Sequence, residues 1–341
     1  QRQMCIRDSF DAWRLFAENF DLGRDLQSGE AKWRALLPAM ATLGSPYFQL
    51  IERINQEFEG PEFAAAVPDW VRVVRQLVAI KPTGRKDGLL DAASRATGVL
   101  NTAGKQIIER TIAAGAPGGK AVFDNYVQAS KALETLFADL AKLSADAVDG
   151  SGRAQKLAAD FHLFSVDPAV KASALQSAYS AVGKLRSMMG GLSPDNQPAW
   201  QLVAGPLDFI VAFVQEQSAC SLQKDWDANV FFGTQGAASS TDLADQLFGP
   251  KGTVWAFANE TARPFLQRTA TQYVPVETLG NRINFSPAFL GFVNQGNSRK
   301  VAQFEAQRRN ESEQKRQQLV QQDQQLERQR KQMDNQKREQ A

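Results

Sequence analysis

Residues 120–147, KAVFDNYVQASKALETLFADLAKLSADA, set apolar side chains three or four positions apart: Val122, Phe123, Tyr126, Leu133, Leu136, Phe137, Leu140 and Leu143. On a helix of 3.6 residues per turn these positions form one stripe. Burying each large side chain contributes ~1.5–3 kcal/mol, so a stripe this long requires neighbours to pack against. A chain built around it is a helix bundle before it is anything else.

The rest of the body has the same grammar. SPYFQLIERINQEFEG places Phe48, Ile51, Ile54 and Phe58 on one face and stops at Gly60. PDWVRVVRQLVAI does so with Trp70, Val73, Val74, Leu77 and Val78. DPAVKASALQSAYSAVGKLRSMMG and PAWQLVAGPLDFIVAFVQEQSACSLQKDWDANVFF are two further helical regions, the second with Pro206 kinking it or starting a helix within it. A polar residue followed by proline marks helix starts at Ser45-Pro46, Asp167-Pro168, Ser193-Pro194 and Ser286-Pro287. The first residue can cap exposed N–H groups, and proline at the first helical position loses only an N–H that had no partner. Strand signals are confined to TQYVPVETL and NRINFS, and no βαβ alternation occurs. The expected fold is mainly α: multi-helix bundle subdomains, at most a few short strands, and a long C-terminal helix.

That last helix is the segment 298–341, rich in Gln, Arg, Lys and Glu. Leu319, Leu326 and Met333 recur at seven but mark one heptad position only, which describes a solvated helix or a weak coiled coil. The segment carries +4 and the first nine residues +1, so of the total of +2 the body holds −3. A near-neutral body and a tail of interspersed acids argue against a nucleic-acid partner.

Several chemistries are tested by spacing. LFGPKGTVWAF, residues 247–257, invites comparison with a phosphate loop, G-x-x-x-x-G-K-[ST], but its lysine precedes the second glycine and the spacing is short. AAGAPGGKAVF has Ala121 at the hydroxyl position and Ala114 at the first glycine; GVLNTAGKQI has Gln106 after its lysine. The corner 247–257 is therefore expected to stop the helix STDLADQLF and start KGTVWAFANETARPFL, with Phe248, Trp255 and Phe257 pinning it and Lys251 solvated. His162 is the single histidine, so no His-His metal site can form. With Cys220 as nucleophile and Asp160 as orienter it would make a catalytic set, but a histidine packed between Phe161 and Phe164 is the expected role. Cys220 is expected to be a small packed residue, and Trp200, Trp226 and Trp255 to be core anchors rather than sugar platforms. Two cysteines, Cys5 and Cys220, supply no disulfide framework. No catalytic, cofactor-binding or metal residue is expected.

The opening QRQMCIRDS resembles the conceptual translation of a sequencing adapter, so residues 1–9 are expected to be foreign to the native protein and the chain a fragment of a longer one. The most apolar run, AWQLVAGPLDFIVAFV, is interrupted by Pro206 and Asp208 and falls short of a membrane span.

Five stretches in order carry a likeness: SPYFQLIERINQEF, VFDNYVQASKALETLFADL, GPLDFIVAFVQEQSACSLQKDWDANVF, LFGPKGTVWAFANETARPFL and INFSPAFLGFVNQG. The series, over residues 10–297, resembles the C-terminal half of the IcmF/TssM (ImpL/VasK) proteins of type VI secretion systems. The resemblance implies a non-enzymatic, mainly helical periplasmic portion of an inner-membrane scaffold, with its membrane anchor upstream. It implies homo-oligomerisation and partnership with an inner-membrane subunit and an outer-membrane lipoprotein. Residues 10–191 would be one helical domain, 192–297 a second, and 298–341 the solvated helix, which stands where the family continues into a β-rich domain. Two other classes stay open at this point: a peptidoglycan-acting hydrolase or cell-wall-binding module using paired carboxylates, and a coiled-coil adaptor working through 298–341.

Overall fold

The computed structural model describes residues 2–24, 29–63, 67–80, 119–167, 169, 171–190, 193–237, 239–270, 272–297, 310 and 313–322. The motif GVLNTAGKQI and the heptad positions Leu326 and Met333 lie outside the described residues. The fold is mainly α-helical. Contacts divide the chain into a first unit, Gln1–Gln223 with Val276–Ile283, and a second, Lys224–Pro275 with Asn284–Ala341. This division falls inside a helix, whereas the division read from the sequence falls at 191/192.

The first unit holds α1 (Arg2–Glu18), α2 (Glu30–Met40), α3 (Pro46–Glu57), α4 (Asp69–Ile80), α5 (Gly119–Val148), α6 (Ser151–Val166), α7 (Ala174–Met188) and most of α8 (Gln197–Trp226). The stripe that opened the sequence becomes the inner face of α5: Leu133, Leu136, Leu140 and Leu143 are at most 1 % exposed. Phe137 stacks obliquely on Phe48 of α3 at 4.8 Å between centroids. The most extensive helix pairing is α5 with α7, and α2, α4 and α6 also pack on α5.

α8 follows a different rule. From Ala199 to Val214 its buried residues point in every direction, among them Trp200, Val203, Leu207, Phe209, Ile210 and Phe213. A helix apolar all round belongs in the middle of a domain. It runs through Pro206 without interruption. Tyr47 lies so close to Gly205 that a Cβ there would overlap its ring, and the Tyr47 hydroxyl donates to Asp21 Oδ1 at 2.7 Å. Among the described residues no helix is long and apolar enough to cross a membrane.

Helix starts follow local chemistry, with one exception. Ser45-Pro46 and Ser286-Pro287 do begin helices, the latter with Ser286 Oγ accepting from Phe289 N at 3.1 Å. Ser193-Pro194 opens a single 3-10 turn before α8. Asp167-Pro168 does not start α7. Asp167 ends α6 and accepts from Ala169 N, and the helix begins six residues later at a capping box. There Ser173 Oγ accepts from Gln176 N, and the Gln176 carboxamide accepts from Ser173 N at 2.7 Å. Two reciprocal bonds satisfy two orphan donors, where Asp167 offers one.

The second unit contains the end of α8, a wide π-type turn Asp227–Phe231, α9 (Ser240–Phe248), α10 (Thr253–Ala256), a second π-type turn Phe257–Thr261, and a helix α11 over 287–297. The expected helix 251–266 is thus shorter, giving way to the π turn and then to strand β1 (Leu266–Arg268). β1 pairs antiparallel with β2 (Tyr273–Pro275), Leu266 facing Pro275 and Arg268 facing Tyr273. The strand signal in TQYVPVETL is correct, whereas in NRINFS only Asn281 makes a bridge, to Thr278. A last helix, α12 over 313–322, leaves Leu319 and Val320 61 % and 49 % exposed.

Candidate functional site

The corner 247–257 is a structural joint. α9 is capped at its start by Ser239, whose Oγ accepts from Asp242 N at 3.1 Å, and it ends at Phe248. Gly249 N then donates to Asp245 O, and Gly252 N to Gly249 O at 2.9 Å. The chain turns so tightly that a Cβ on Gly249 would run into the Asp245 carbonyl, and one on Gly252 into the Leu247 carbonyl. The glycines are needed for this close backbone approach. Trp255 Nε1 donates to Phe248 O at 3.0 Å and closes the joint; Lys251 is exposed. Around it sits an aromatic cluster: Trp226 meets the edges of Phe257 and Phe289 at 5.1 and 5.0 Å. Trp255 is buried, as is Trp200 in the first unit, while Trp226 is half-buried within its ring of phenylalanines.

The polar chemistry of the first unit gathers on a strap, Val276–Ile283. Val276 and Ile283 are buried at its two feet and Thr278 is 4 % exposed. Thr278 and Asn281 exchange both backbone bonds at 2.9 Å, with Leu279 and Gly280 between them at φ 50° and 78°. Reciprocal pairing with two positive-φ central residues is a type I′ hairpin tip.

α6 supplies one anchor. Its buried face runs Ala154, Ala158, Phe161 and His162. His162 Nδ1 is 3.1 Å from Thr278 Oγ1, and Ser165 Oγ is 2.8 Å from the same oxygen. A hydroxyl both donates and accepts, so one threonine serves both neighbours. Burial pushes His162 down from 6.5 to about 4, so the ring is neutral at physiological pH.

α7 and α8 supply the other anchor. The Tyr179 hydroxyl donates to Asp208 Oδ1 at 2.8 Å, and Asn281 Nδ2 donates to the Tyr179 oxygen at 3.3 Å. Burial raises the Tyr179 phenol, and the neighbouring Asp208 charge and their hydrogen bond raise it further. Asp208, which interrupts the most apolar run of the sequence, is thereby given a partner inside the bundle.

This arrangement fastens the strap Val276–Ile283 to its unit. Asp160 pairs with Lys156 Nζ at 3.0 Å, and His162 Nδ1 faces a hydroxyl. Cys220 is exposed, contrary to the packed position expected. On the C-terminal half of α8 the buried line runs Val214, Ser218 and Leu222. Cys220 lies two residues from each of the last two, about 200° round the helix and on its outer side. No group of three His, Cys, Asp or Glu side chains able to hold a metal ion occurs among the described residues.

One groove completes the first unit. It lies between α5 and α7, has a volume of about 620 Å³, and is walled by Lys131 and Thr135 on one side and Ser180 and Lys184 on the other, over Ala132 and Ala181. Beside it Ser177 Oγ donates to Asp139 Oδ2 at 2.8 Å, which ties the two helices together across their pairing.

Sequence reasoning located His162 and the corner 247–257 but passed over Thr278, Tyr179, Asp208 and Asn281. The one local signal was an acid, Asp208, embedded in apolar residues. Comparison with known proteins adds no relative: no family model, no curated protein and no solved structure matches this chain.

Proposed function

We propose that the chain is a structural segment of the envelope-spanning membrane complex of a type VI secretion system, of the IcmF/TssM kind, and that it acts by subunit assembly in the periplasm. The observation that carries this reading is the order of five sequence stretches along residues 10–297. The stretches coincide with packed elements: SPYFQLIERINQEF with α3, VFDNYVQASKALETLFADL with the body of α5, GPLDFIVAFVQEQSACSLQKDWDANVF with α8 and the turn after it, and the last two with the corner and α11. In this reading the partners are an inner-membrane subunit and an outer-membrane lipoprotein, and a membrane anchor precedes the segment.

The test has two arms. The full reading frame should carry membrane helices upstream and lie beside genes for a contractile sheath and tube. The protein should also co-purify with the lipoprotein and the small inner-membrane subunit encoded there. Turnover of purified peptidoglycan by residues 10–341, abolished by changing one Asp or Glu, would sink the reading in favour of a hydrolase.

A further inference from the structure

The groove between α5 and α7 sets two lysines against each other. Ser177 of α7 meets Asp139 of α5, and Ala181 shares the groove floor with Ala132. Residue numbers rise along α7 as they fall along α5, so the two helices run antiparallel here. At 1.5 Å per residue, Lys184 lies about 10 Å beyond the Ser177–Asp139 bond and Lys131 about 12 Å beyond it, level with each other on opposite walls. Like charges facing across a cleft repel. Several helix cations of the same unit are answered by an acid four residues away: Arg14 by Glu18, Arg34 by Glu30, Arg153 by Asp149 and Lys156 by Asp160. Lys131 and Lys184 have no ion-pair partner among the described residues, and no acid lines the groove. Glu134, three residues after Lys131, is exposed and makes no ion pair with it, and Asp139 holds Ser177 instead.

An oxyanion between the two ammonium groups turns that repulsion into a pair of charge-assisted hydrogen bonds. A phosphate monoester, with a charge of about −1.5 to −2 at pH 7, answers both lysines at once, whereas a single carboxylate answers one. The groove volume of about 620 Å³ is far larger than one oxyanion. It falls within the ~300–1,000 Å³ of small-molecule sites, so a ligand that fills it has a body beyond its charge. That body meets polar walls: the Ser180 hydroxyl one turn from Lys184, and the Gln128 carboxamide one turn from Lys131. No aromatic ring lines the groove, so a nucleobase has no side chain to stack on. Hydroxyl groups suit these walls better than a flat ring or a hydrocarbon.

We infer that the α5–α7 groove is a binding site for a small hydroxylated phosphate ester of the sugar-phosphate class. Its phosphate lies between Lys131 and Lys184, and its hydroxyl groups meet Ser180 and Gln128. Both lysines are exposed, so the charge contribution is screened and binding weakens as salt is added. The site is independent of the secretion reading and adds a ligand to a segment for which that reading names only protein partners.

Titration calorimetry on the full chain at low salt tests it, with glucose 6-phosphate, glucose and inorganic phosphate as probes. Glucose 6-phosphate should bind with a Kd of about 1 mM or tighter. Inorganic phosphate should bind at least about fivefold more weakly, and glucose should give no heat. Lys131→Ala and Lys184→Ala should each weaken glucose 6-phosphate about fivefold or more, and the two together should abolish binding. Both variants should melt with the parent, since both positions are exposed. Lys142→Ala, an exposed lysine of α5 outside the groove, should bind like the parent. No heat from glucose 6-phosphate up to about 10 mM overturns the inference. So does inorganic phosphate binding as tightly as the ester, or Lys142→Ala losing as much affinity as Lys131→Ala, which would mark diffuse surface charge. None of these results bears on the secretion reading, which stands or falls on co-purification with the lipoprotein.

Discussion

His162 Nδ1 lies 3.1 Å from Thr278 Oγ1, across 116 residues of sequence. That distance holds a neutral imidazole against the Thr278 hydroxyl, one of the strap's two anchors. Burial has moved the His162 equilibrium from 6.5 to about 4, so the folded protein resists the proton that the unfolded chain accepts. Between those values the unfolded state binds more protons, and stability therefore rises with pH. The contribution is complete above about pH 6.5 and is withdrawn as pH falls toward 4, a change on the order of 3 kcal/mol. Urea unfolding measured from pH 7 to pH 4 should show this slope. The His162→Gln variant should lose it, and an unchanged slope would dismiss the assignment.

Tyr179→Phe removes a hydroxyl that joins Asp208 to Asn281. A hydrogen bond to a charged group contributes about 1.5–3 kcal/mol, and the variant should lose stability in that range. Hydrogen exchange should quicken at the backbone amides of 276–283. Unchanged exchange there would mean that the strap is held without this anchor.

At the corner, Gly252→Ala should cost about 1–3 kcal/mol, because a methyl group must displace the Leu247 carbonyl. Lys251→Ala, at an exposed position, should stay within about 0.5 kcal/mol of the parent. A joint predicts this asymmetry, and a phosphate loop predicts the opposite emphasis. Thermal melts with and without a nucleoside triphosphate distinguish the two, since only a bound ligand shifts the midpoint.

The thiol of Cys220 is open to solvent. A maleimide should label it in the native protein without denaturant, and Cys220→Ser should leave stability within about 0.5 kcal/mol. Labelling that required unfolding would return Cys220 to the interior.

What the sequence made legible was whatever its local periodicity controls. The α3, α4 and α5 stripes, the Ser45-Pro46 start and the span of α9 all follow from apolar spacing and caps within one segment. What it hid depends on partners far away. Asp208 reads as an interruption until Tyr179 is beside it, and His162 reads as packing until Thr278 arrives from 116 residues downstream. Cys220 misled because spacing of seven from Phe213 suggests a shared face, while the narrowing buried line of α8 had already rotated away from it. The start of α7 was misplaced for a local reason: two candidate caps stood six residues apart, and the reciprocal one prevailed.

The strap also dictates a schedule. During synthesis α6 and α8 leave the ribosome well before Thr278 and Asn281 exist. At ~5–20 residues per second the interval between Trp226 and Ile283 lasts a few seconds. Throughout it the described helices of the first unit have their hydrophobic bulk but not their closing piece, and the second unit's α9 and α10 emerge in between. The order of birth is therefore not the order of completion: a nascent chain stalled before Val276 would carry every described helix of the first unit and still be unfinished.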